Sequence, residues 1–436
     1  MKHRSSTLSR SALISAWIAL LATGCGGEAG VDEPSIDSPR SDAGGEACTD
    51  DAECRQRAED FEATRDLLAF GCEPEPVASP DDAAEYGDAY RFTFDIGPQS
   101  QGFLMVPLVG EGIVVPRRLE TPSQSVDLHG EYRHHNAELV DLDSADLATG
   151  VGTFGQVSLA WPILVPYAPR FAHLLQAGGR YELIVEADQQ KPCLYVLDDQ
   201  RGTSLDLNIY LVGADGRTAE DAPADSDLQQ VLEIVDQIYA GTGIQLGQVR
   251  YFDVPDQVRA SYRVVRSQDD VDRLTAYGEA ADATLDAHLA IDLFLVDDIL
   301  LGGGDIQGIS AGLPGAAGLH GNPRNGLVFQ TTDLGSDNDH VAHLVAHELG
   351  HYLGLRHTTE VVKDTGTQME RTLEELMGVT DPIEDTPVCD QIQQTGFDCP
   401  DADNLMFPAA PPTAEQRQSA LTDGQNSVLR ANPLLK

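Results

Sequence analysis

Apolar residues recur at helical spacing in two stretches of the C-terminal half of the chain. The first stretch covers residues 226–239, and the second follows the polar segment 336–339, which is suited to an N-cap. Both place apolar side chains on a single face: Leu228, Val231, Leu232, Val235 and Ile238 in the first, and Val341, Leu344, Val345, Leu349 and Leu353 in the second. Short apolar runs typical of strands lie before and between these stretches, at 205–212, 249–254, 291–296 and 326–330. We therefore predict a domain that contains both helices and strands.

The N-terminal half instead shows strand-like runs that are separated by glycine and proline turns. They lie at 90–96, 102–109, 157–159 and 181–187, and only a short helical turn is expected, at 171–175. Such spacing predicts a β-sandwich of about a hundred residues. A chain of 436 residues has room for two or three domains with sizeable cores.

The first 25 residues have the pattern of an export signal. Lys2, Arg4 and Arg10 form a basic start, and the apolar stretch 12–22 is too short to span a bilayer comfortably. The small residues before Cys25 resemble a bacterial lipobox, in which the chain is cut before the cysteine and its thiol is acylated. A plain secretory signal with an incidental cysteine is the alternative. Gly26 follows Cys25, which in Gram-negative cells implies sorting to the outer membrane, and residues 26–46 have the composition of a flexible tether.

The cysteine count agrees with export. Of seven cysteines, the six that remain besides Cys25 form an even set, as expected in an oxidising compartment: Cys48, Cys54, Cys72, Cys193, Cys389 and Cys399. Cys389 and Cys399 bracket a short loop, and we expect them to pair. The other four allow three connectivities, between which the sequence does not choose. A cysteine-ligated metal site is disfavoured because no C-x-x-C spacing occurs.

The chain is strongly acidic, with 71 acidic against 28 basic residues and a formal net charge of −43. Nucleic acids and anionic lipid surfaces are therefore poor partners. Solubility of an exported surface explains most of this charge. Acidic residues also crowd around the segment 389–399, where oxygen-rich loops would suit calcium, although no EF-hand pattern is present: Asp381, Glu384, Asp385, Asp390, Asp398, Asp401 and Asp403.

The second helical stretch contains a metal-binding pattern. Residues 347–357 fit H-E-x-x-H-x-x-G-x-x-H at every fixed position. His347 and His351 lie one turn apart on one helix face and can reach the same metal ion. Gly354 can adopt a positive φ, so the chain can turn and bring His357 round as a third ligand. Three nitrogen ligands leave one position open, which is typical of a catalytic zinc site, and Glu348 is placed to act on a water molecule there.

Three alternatives compete with this interpretation. An ordinary amphipathic helix with two surface histidines is disfavoured, because Gly354 and His357 also stand at the required offsets. His343 shares a face with His347 and could compete for the metal, but a packed or hydrogen-bonded role suits it better. In another class of zinc peptidase the third ligand is a downstream glutamate, and Glu370, Glu374 and Glu375 lie in that zone without the accompanying Glu-x-x-x-Asp pattern.

With this motif the sequence resembles the metzincin clan of zinc endopeptidases, and most closely its pappalysin-type, ulilysin-like branch. The finer resemblance depends on Asp385-Thr386-Pro387 and on Asn404-Leu405-Met406, in that order after the motif. It covers about residues 205–435. It implies an α+β catalytic domain with a twisted mixed sheet, a zinc-binding helix and a methionine turn at Met406, and Glu348 as general base. The chain departs from other branches in lacking an acidic residue directly after His357 and a tyrosine soon after Met406.

The resemblance also implies a polypeptide substrate. The strand before the zinc helix, with Leu327, Val328 and Phe329, is expected to be the sheet edge against which an extended peptide binds. The glycine-rich segment 302–321 is expected to loop over the cleft, and it lacks the Gly-Lys-Ser/Thr of a phosphate-binding loop.

We expect four segments along the chain: a lipoprotein signal peptide at 1–24, an acidic tether with cysteines at 25–75, a β-sandwich-like accessory domain at 76–200, and a metzincin-like zinc peptidase domain at 201–436. The expected function is that of an exported, monomeric zinc endopeptidase. It is either held at the bacterial outer membrane only by its N-terminal lipid or is extracellular. A surface-anchored binding lipoprotein with a vestigial or latent site is the alternative from another class. A zinc hydrolase of non-peptide amides is a third.

Overall fold

The structure, a computed structural model, describes residues 68–78, 87–109, 113–128, 160–188, 190–198, 202–277, 289–301, 306–319, 322, 325–358, 381–387, 399–408 and 418–435. All of them belong to one compact unit, residues 48–436. No helix in these ranges combines the length and the apolar character needed to cross a membrane.

The N-terminal part of this unit consists of two antiparallel sheets. Its strands are β1 (Leu68–Gly71), β2 (Glu75–Val77), β3 (Asp88–Asp95), β4 (Phe103–Leu108), β5 (Val114–Glu120), β6 (Ser125–Asp127), β7 (Ile163–Val165), β8 (Arg180–Ala187) and β9 (Cys193–Asp198). One sheet has the order β1-β9-β4-β7, and the other has the order β2-β3-β8-β5-β6. A 3₁₀-helix, Pro169–Leu174, follows β7.

Strand β4 shows how these sheets are layered. Successive side chains of a strand point to opposite faces. Phe103 and Met105 enter the core between the two N-terminal sheets, whereas Leu104 and Val106 enter the core of the C-terminal part. The four-stranded sheet is thus buried on both faces, and the N-terminal part packs directly against the layer that carries the motif.

The C-terminal part combines a mixed sheet with helices. Its strands are β10 (Ser204–Leu211), β11 (Gln245–Asp253), β12 (Val264–Val265), β13 (Ile291–Val296), β14 (Asp298–Ile299), β15 (Gly308–Ser310) and β16 (Leu327–Gln330). Its helices within the described ranges are α1 (Ser226–Ala240), α2 (Asp256–Tyr262), α3 (Gln268–Ala276), α4 (Asn338–Tyr352) and α5 (Asp423–Ala431). Short 3₁₀ turns lie at Ala214–Gly216 and Ala222–Ala224.

The main sheet has the order β11-β10-β13-β16-β15. Strands β11, β10, β13 and β16 are parallel, and β15 is antiparallel to β16. One face of the sheet packs on α1 and α4, and the other face shares a core with α2 and α3. Helices lie on both faces because the parallel strands are apolar on both sides, with all of Ile291–Val296 buried.

The expected substrate edge was assigned to the wrong strand. Leu327, Val328 and Phe329 lie in β16, which pairs with β13 on one side and with β15 on the other, so β16 is an interior strand. The outer strand is β15, which lies within the glycine-rich segment that we expected to be a loop. Its three residues form too short and too glycine-rich a run to be recognised as a strand from sequence.

Most other predicted elements of the C-terminal part are confirmed within a few residues, with the helix predicted at 226–239 observed as Ser226–Ala240. In the N-terminal part, six strands were not predicted, namely β1, β2, β5, β6, β7 and β9. Proline interrupts β5 at Pro116, where the pairing with β8 shifts register. The strand predicted at 157–159 lies outside the described residues, and the domain boundaries at 75 and 200 stay predictions.

Candidate metal centre

The motif lies on α4, and local sequence explains why that helix forms. The Asp337 side chain caps its first turn by accepting the backbone N–H of His340 at 3.1 Å, as the acidic segment predicted. Val345 and Leu349 are buried in the core that α4 shares with α1 and the main sheet. That packing turns His347 and His351, one turn apart, toward the other side of the helix.

Gly354 ends the helical segment as predicted. Its φ is +111°, a conformation that side chains with a Cβ rarely adopt, and an added Cβ would lie 2.8 Å from Leu164 Cδ2 of the N-terminal part. The backbone N–H of Leu355 donates to the carbonyl of Gly350 at 2.8 Å. The chain thus turns back, and His357 faces the two histidines of the helix.

Three imidazole Nε2 atoms converge at this turn. His357 Nε2 lies 3.2 Å from His347 Nε2 and 3.0 Å from His351 Nε2. The Nδ1 atoms of His347 and His351 face the carbonyl oxygens of Leu405 and Leu355, at 2.7 and 2.8 Å. Since carbonyls only accept, each Nδ1 carries the proton and each Nε2 presents a lone pair.

This donor set fits zinc. Lone pairs that point at one another repel unless a cation lies among them. Nitrogens bound tetrahedrally to zinc at ordinary bond lengths are ~3.3 Å apart, close to the observed spacing. Burial and, next, the neighbouring charge at His357 together lower the pKa of His347 to about 3, against the raising effect of the hydrogen bond with the Leu405 carbonyl, so the ring stays neutral and able to ligate at ordinary pH. Burial likewise lowers the pKa of His351.

Met406 lies under the helix. Both Met406 and Gly350 are buried, and a Cβ on Gly350 would come within 2.5 Å of the Met406 sulfur. The preceding residue, Leu405, supplies the carbonyl that orients His347. The segment 404–406 therefore packs against the helix that carries His347 and His351, and the methionine turn at Met406 stays a prediction.

Glu348 is held between the helix and the outer strand. The backbone N–H of Ser310 in β15 donates to its carboxylate, and a Cβ on Gly308 would lie 3.1 Å from its Cγ. Burial raises the pKa of Glu348 to about 7, against the lowering effect of His357 and of the Ser310 N–H. A carboxyl group that titrates near neutrality suits proton transfer in either direction.

Comparisons with known proteins support the same chemistry. Residues 226–358 match the family model described as metallo-peptidase family M12B, Reprolysin-like. The sequence around the site is that of a metallopeptidase. The three histidines are within ligating reach of one another and could hold the zinc that such a peptidase uses.

Solved structures and curated proteins were compared as well. The archaemetzincin of Methanopyrus kandleri is similar over 54% of this chain and 91% of its own, with 16% identity and a TM-score of 0.26. Metalloproteinase-II of Bacteroides fragilis is similar over 62% of this chain and 78% of its own, with 10% identity and a TM-score of 0.26. No curated protein matched the chain.

Several buried contacts that hold the metallopeptidase site were not found from sequence. Tyr239 of α1 donates its hydroxyl to the carbonyl of Ala346, one residue before the first ligand, at 2.7 Å. The side chains of Asn404 and Gln425 exchange two hydrogen bonds, at 2.8 and 3.1 Å, and so tie the Met406 segment to α5. These partners are far apart in sequence, and isolated Tyr, Asn or Gln residues carry no pattern that would reveal them.

A network of buried hydrogen bonds also links α4 to the main sheet. Tyr352, next to His351, donates to Asn325 Oδ1. Asn325 and Asn208 each donate to the buried carboxylate of Asp292, at 3.3 and 2.9 Å. The buried hydroxyl of Tyr352 is thereby satisfied, and the end of the helix is tied to β10 and β13.

The remaining predicted residues are placed as follows. His343 is hydrogen-bonded through Nδ1 to the carbonyl of Asp339 at 2.7 Å and lies outside the histidine cluster, as we expected. Cys72 is paired with Cys193, one of the pairings that the sequence left open. Cys399 is disulfide-bonded, but the expected pairing with Cys389 falls outside the described residues, as do Cys25, Cys48, Cys54 and the three glutamates at 370, 374 and 375.

The calcium expectation stays a prediction. Of the acidic residues behind it, Asp390 and Asp398 lie outside the described ranges. Asp381 and Asp385 are described, and each accepts a hydrogen bond within the protein, from Thr386 Oγ1 and from the Gly424 N–H respectively. Within the described ranges, the cluster able to hold a metal is the histidine triad.

Proposed function

We propose that this protein is a zinc-dependent endopeptidase that hydrolyses polypeptides. The observation that carries the proposal is the arrangement around Glu348: its carboxylate interacts with His357 of the histidine triad and with the backbone N–H of Ser310 in β15, the outer strand of the described sheet. An open strand edge next to a metal site suits an extended peptide main chain better than a small amide. For that reason the proposal favours peptides over non-peptide amides.

Strand β15 provides the surface for such a main chain. Gln307 accepts from the Gln330 N–H, and the Ala311 N–H donates to Gly326, so odd-numbered residues of this strand face β16. Backbone polar groups alternate along an antiparallel strand. Those of Gly308 and Ser310 consequently point to the open side, where the Ser310 N–H meets Glu348. A substrate strand would pair with the backbone groups of Gly308 and with the Ser310 carbonyl, because the Ser310 N–H is taken by Glu348. This edge replaces the one expected at Leu327–Phe329.

The proposed reaction assigns a role to each residue. His347, His351 and His357 would hold zinc, which polarises a scissile carbonyl and makes water acidic enough to attack it near neutral pH. Glu348 accepts the proton of the attacking water on its carboxylate and returns that proton to the leaving nitrogen. The Ser310 N–H keeps the Glu348 carboxylate oriented toward the strand edge. Leu405 and Leu355 keep the imidazoles of His347 and His351 in the ligating tautomer through their carbonyl oxygens.

The finer family assignment belongs to this proposal. We assign the chain to the pappalysin-type branch of the metzincins, on Asp385-Thr386-Pro387 and on Met406 at the place of the methionine turn. Its support is the contact of Met406 with the helix at Gly350 and the hydrogen bond between the Asp385 carboxylate and the Gly424 N–H. Residues 76–200 would form the accessory β-sandwich.

We also propose export and lipid anchoring. Support comes from the basic and apolar start of the chain, from the lipobox-like residues before Cys25, and from the Cys72–Cys193 disulfide, which suits an oxidising compartment. The anchor would leave the catalytic part in the aqueous phase outside the membrane. Metabolic labelling with a fatty acid, in the natural chain and in Cys25→Ser, would test it.

The rival function is a surface-anchored binding lipoprotein with a vestigial site. Metal removal distinguishes the two functions in protein that lacks residues 1–25. We expect cleavage of a denatured protein mixture to stop after chelation and to return on addition of about one equivalent of zinc. Cleavage that persists in demonstrably zinc-free protein would contradict the proposal.

A further inference from the structure

We propose that Gln307 is a positioning residue: its side chain clamps the substrate-binding edge strand to the zinc helix and so sets the affinity for peptide. This inference rests on the proposed function for its consequence in catalysis, although the clamp itself can be tested without activity. It concerns three residues outside the metal ligands and the general base, namely Gln307, His340 and Asp333.

Gln307 is fastened at both ends of its amide. Its Oε1 lies 2.7 Å from His340 Nε2 on the first turn of α4, and its Nε2 donates to Asp333 Oδ2 at 3.2 Å, in the segment between β16 and α4. Its backbone carbonyl also accepts the N–H of Gln330 at 3.0 Å. A single residue thus joins the start of β15 to the end of β16, to the connecting segment and to the zinc helix.

The direction of these hydrogen bonds is fixed by chemistry. An ionised aspartate only accepts, so the amide nitrogen of Gln307 must face Asp333 and its amide oxygen must face His340. His340 in turn must carry a proton on Nε2. The hydrogen bonds therefore run from the His340 donor through Gln307 to the Asp333 acceptor. An amide at position 307 is the group that satisfies both neighbours.

Strand β15 is held at its beginning, within the described part of the chain, by the backbone hydrogen bond from Gln330 to Gln307 and by the Gln307 side chain. It has three residues, it starts with Gly308, and it is the outer strand of the sheet. Its far end is secured by the hydrogen bond from the Ala311 N–H to Gly326 at 3.0 Å. Gly308 has close contacts with Phe329 and with Glu348, where a Cβ would lie 2.7 and 3.1 Å away, so small shifts at this end change the groove.

Releasing the clamp should affect binding more than chemistry. Without the Gln307 side chain the Gly308 end of β15 keeps the backbone hydrogen bond from the Gln330 N–H but loses its ties to α4 and to Asp333, whereas Ser310 remains held through Ala311 and still donates to Glu348. We expect Gln307→Ala to raise KM for a long peptide about tenfold, on the scale of one or two lost hydrogen bonds. We expect kcat to change about twofold or less and zinc content to stay the same.

A matched control exists on the same helix. Asn338 begins α4, and its Nδ2 donates to Asp227 Oδ1 at 3.1 Å and to Gln230 Oε1 at 2.9 Å, both on α1. Its Oδ1 also accepts the Gly335 N–H at 2.7 Å, so Asn338→Ala removes three hydrogen bonds that anchor the same helix turn. We expect it to lower stability without raising KM.

A charge exchange tests the direction of the hydrogen bonds through Gln307. Gln307→Glu places a carboxylate against Asp333 and should raise KM as much as Gln307→Ala does. Adding Asp333→Asn supplies an amide N–H from which this carboxylate can accept a hydrogen bond. The KM of the double variant should therefore return to within about twofold of the natural KM. Asp333→Asn alone should be mild, because its amide oxygen can still accept from Gln307. A double variant no better than Gln307→Glu would overturn the inference.

Hydrogen–deuterium exchange provides a readout independent of activity. In metal-free protein, we expect the peptide that covers residues 306–311 to exchange faster in Gln307→Ala and to be unchanged in Asn338→Ala. Unchanged exchange in Gln307→Ala would overturn the clamp whatever the kinetics show. Faster exchange in a protein whose natural form binds zinc yet cleaves nothing would instead confirm the clamp and contradict the proposed function.

Discussion

His347 Nδ1 lies 2.7 Å from the carbonyl oxygen of Leu405, so the first metal ligand is oriented by a residue 58 positions further along the chain. The next residue in the sequence, Met406, packs against the same helix. The C-terminal segment thus both supports the helix and selects the tautomer of its first histidine. This relationship couples the stability of residues 404–406 to metal binding and leads to the first prediction.

Gly350→Ala should weaken the site from below. The added methyl group would lie 2.5 Å from Met406 Sδ and 3.3 Å from Met406 Cε, and Met406 is fully buried, so its sulfur has no solvent to move into. We expect the free energy of unfolding to fall by about 1–3 kcal/mol and zinc affinity to fall with it. Denaturant unfolding of metal-free protein and a zinc titration would measure the two effects. Gly241→Ala is the control, because there the new Cβ meets nothing closer than Ile238 O at 3.9 Å. Equal stability losses in the two variants would count against the Met406 contact.

Tyr352→Phe and Tyr195→Phe should have different effects on the free energy of unfolding, although both remove one buried hydroxyl. Tyr352 donates to Asn325, and its loss leaves the amide oxygen of Asn325 buried without that donor. Tyr195 has a buried hydroxyl for which the described part of the chain offers no hydrogen-bond partner. We expect Tyr352→Phe to cost about 1–3 kcal/mol of unfolding free energy, and Tyr195→Phe to be neutral or stabilising. Thermal or urea unfolding at pH 7 would compare them, and a costly Tyr195→Phe would show that its hydroxyl is paired.

Asp225 should make the stability of α1 depend on pH. Burial raises the pKa of Asp225, but hydrogen bonds from the Leu228 N–H, Arg217 and the Asp227 N–H outweigh it and leave the pKa below its ordinary value. A group with a depressed folded pKa stabilises the protein above its unfolded pKa of about 3.9 and loses that effect as the pH falls through the folded value. We therefore expect Asp225→Ala to cost about 1–2 kcal/mol at pH 7 and much less near pH 3.

The matched control is Glu233→Ala, which removes an exposed carboxylate from the same helix. It should change the unfolding free energy little at either pH. Urea unfolding of the three proteins at pH 7 and at pH 3 is the measurement. A cost of Asp225→Ala that stays constant between the two values would contradict the pH dependence.

The ligands and the helices of the metallopeptidase part could be predicted from sequence because their information is local. Fixed offsets within the eleven residues 347–357 relate His347, His351, Gly354 and His357. The cap at Asp337 likewise precedes the helix that it starts. In such cases spacing alone determines which side chains share a face.

The outer strand and the supporting contacts depend on tertiary structure instead. Strand β15 has no apolar alternation, and its place beside β16 follows from pairing with a strand that begins 17 residues after Ser310. Tyr239 meets Ala346, and Asn404 meets Gln425, only after the helices have packed. The expected edge at Leu327–Phe329 was wrong for the same reason: β16 has the apolar character of a buried strand, which marks the interior of a sheet rather than its edge.

The central claim is that Glu348 transfers protons at a zinc site. Its most direct test uses protein without residues 1–25, in natural form and as Glu348→Gln, with zinc content and cleavage of a denatured protein mixture measured on the same samples. We predict about one zinc per chain in both proteins, and cleavage in the variant that is lower by about a hundredfold to ten-thousandfold. Undiminished cleavage by Glu348→Gln, or a correctly folded natural protein that binds no zinc, would contradict the account.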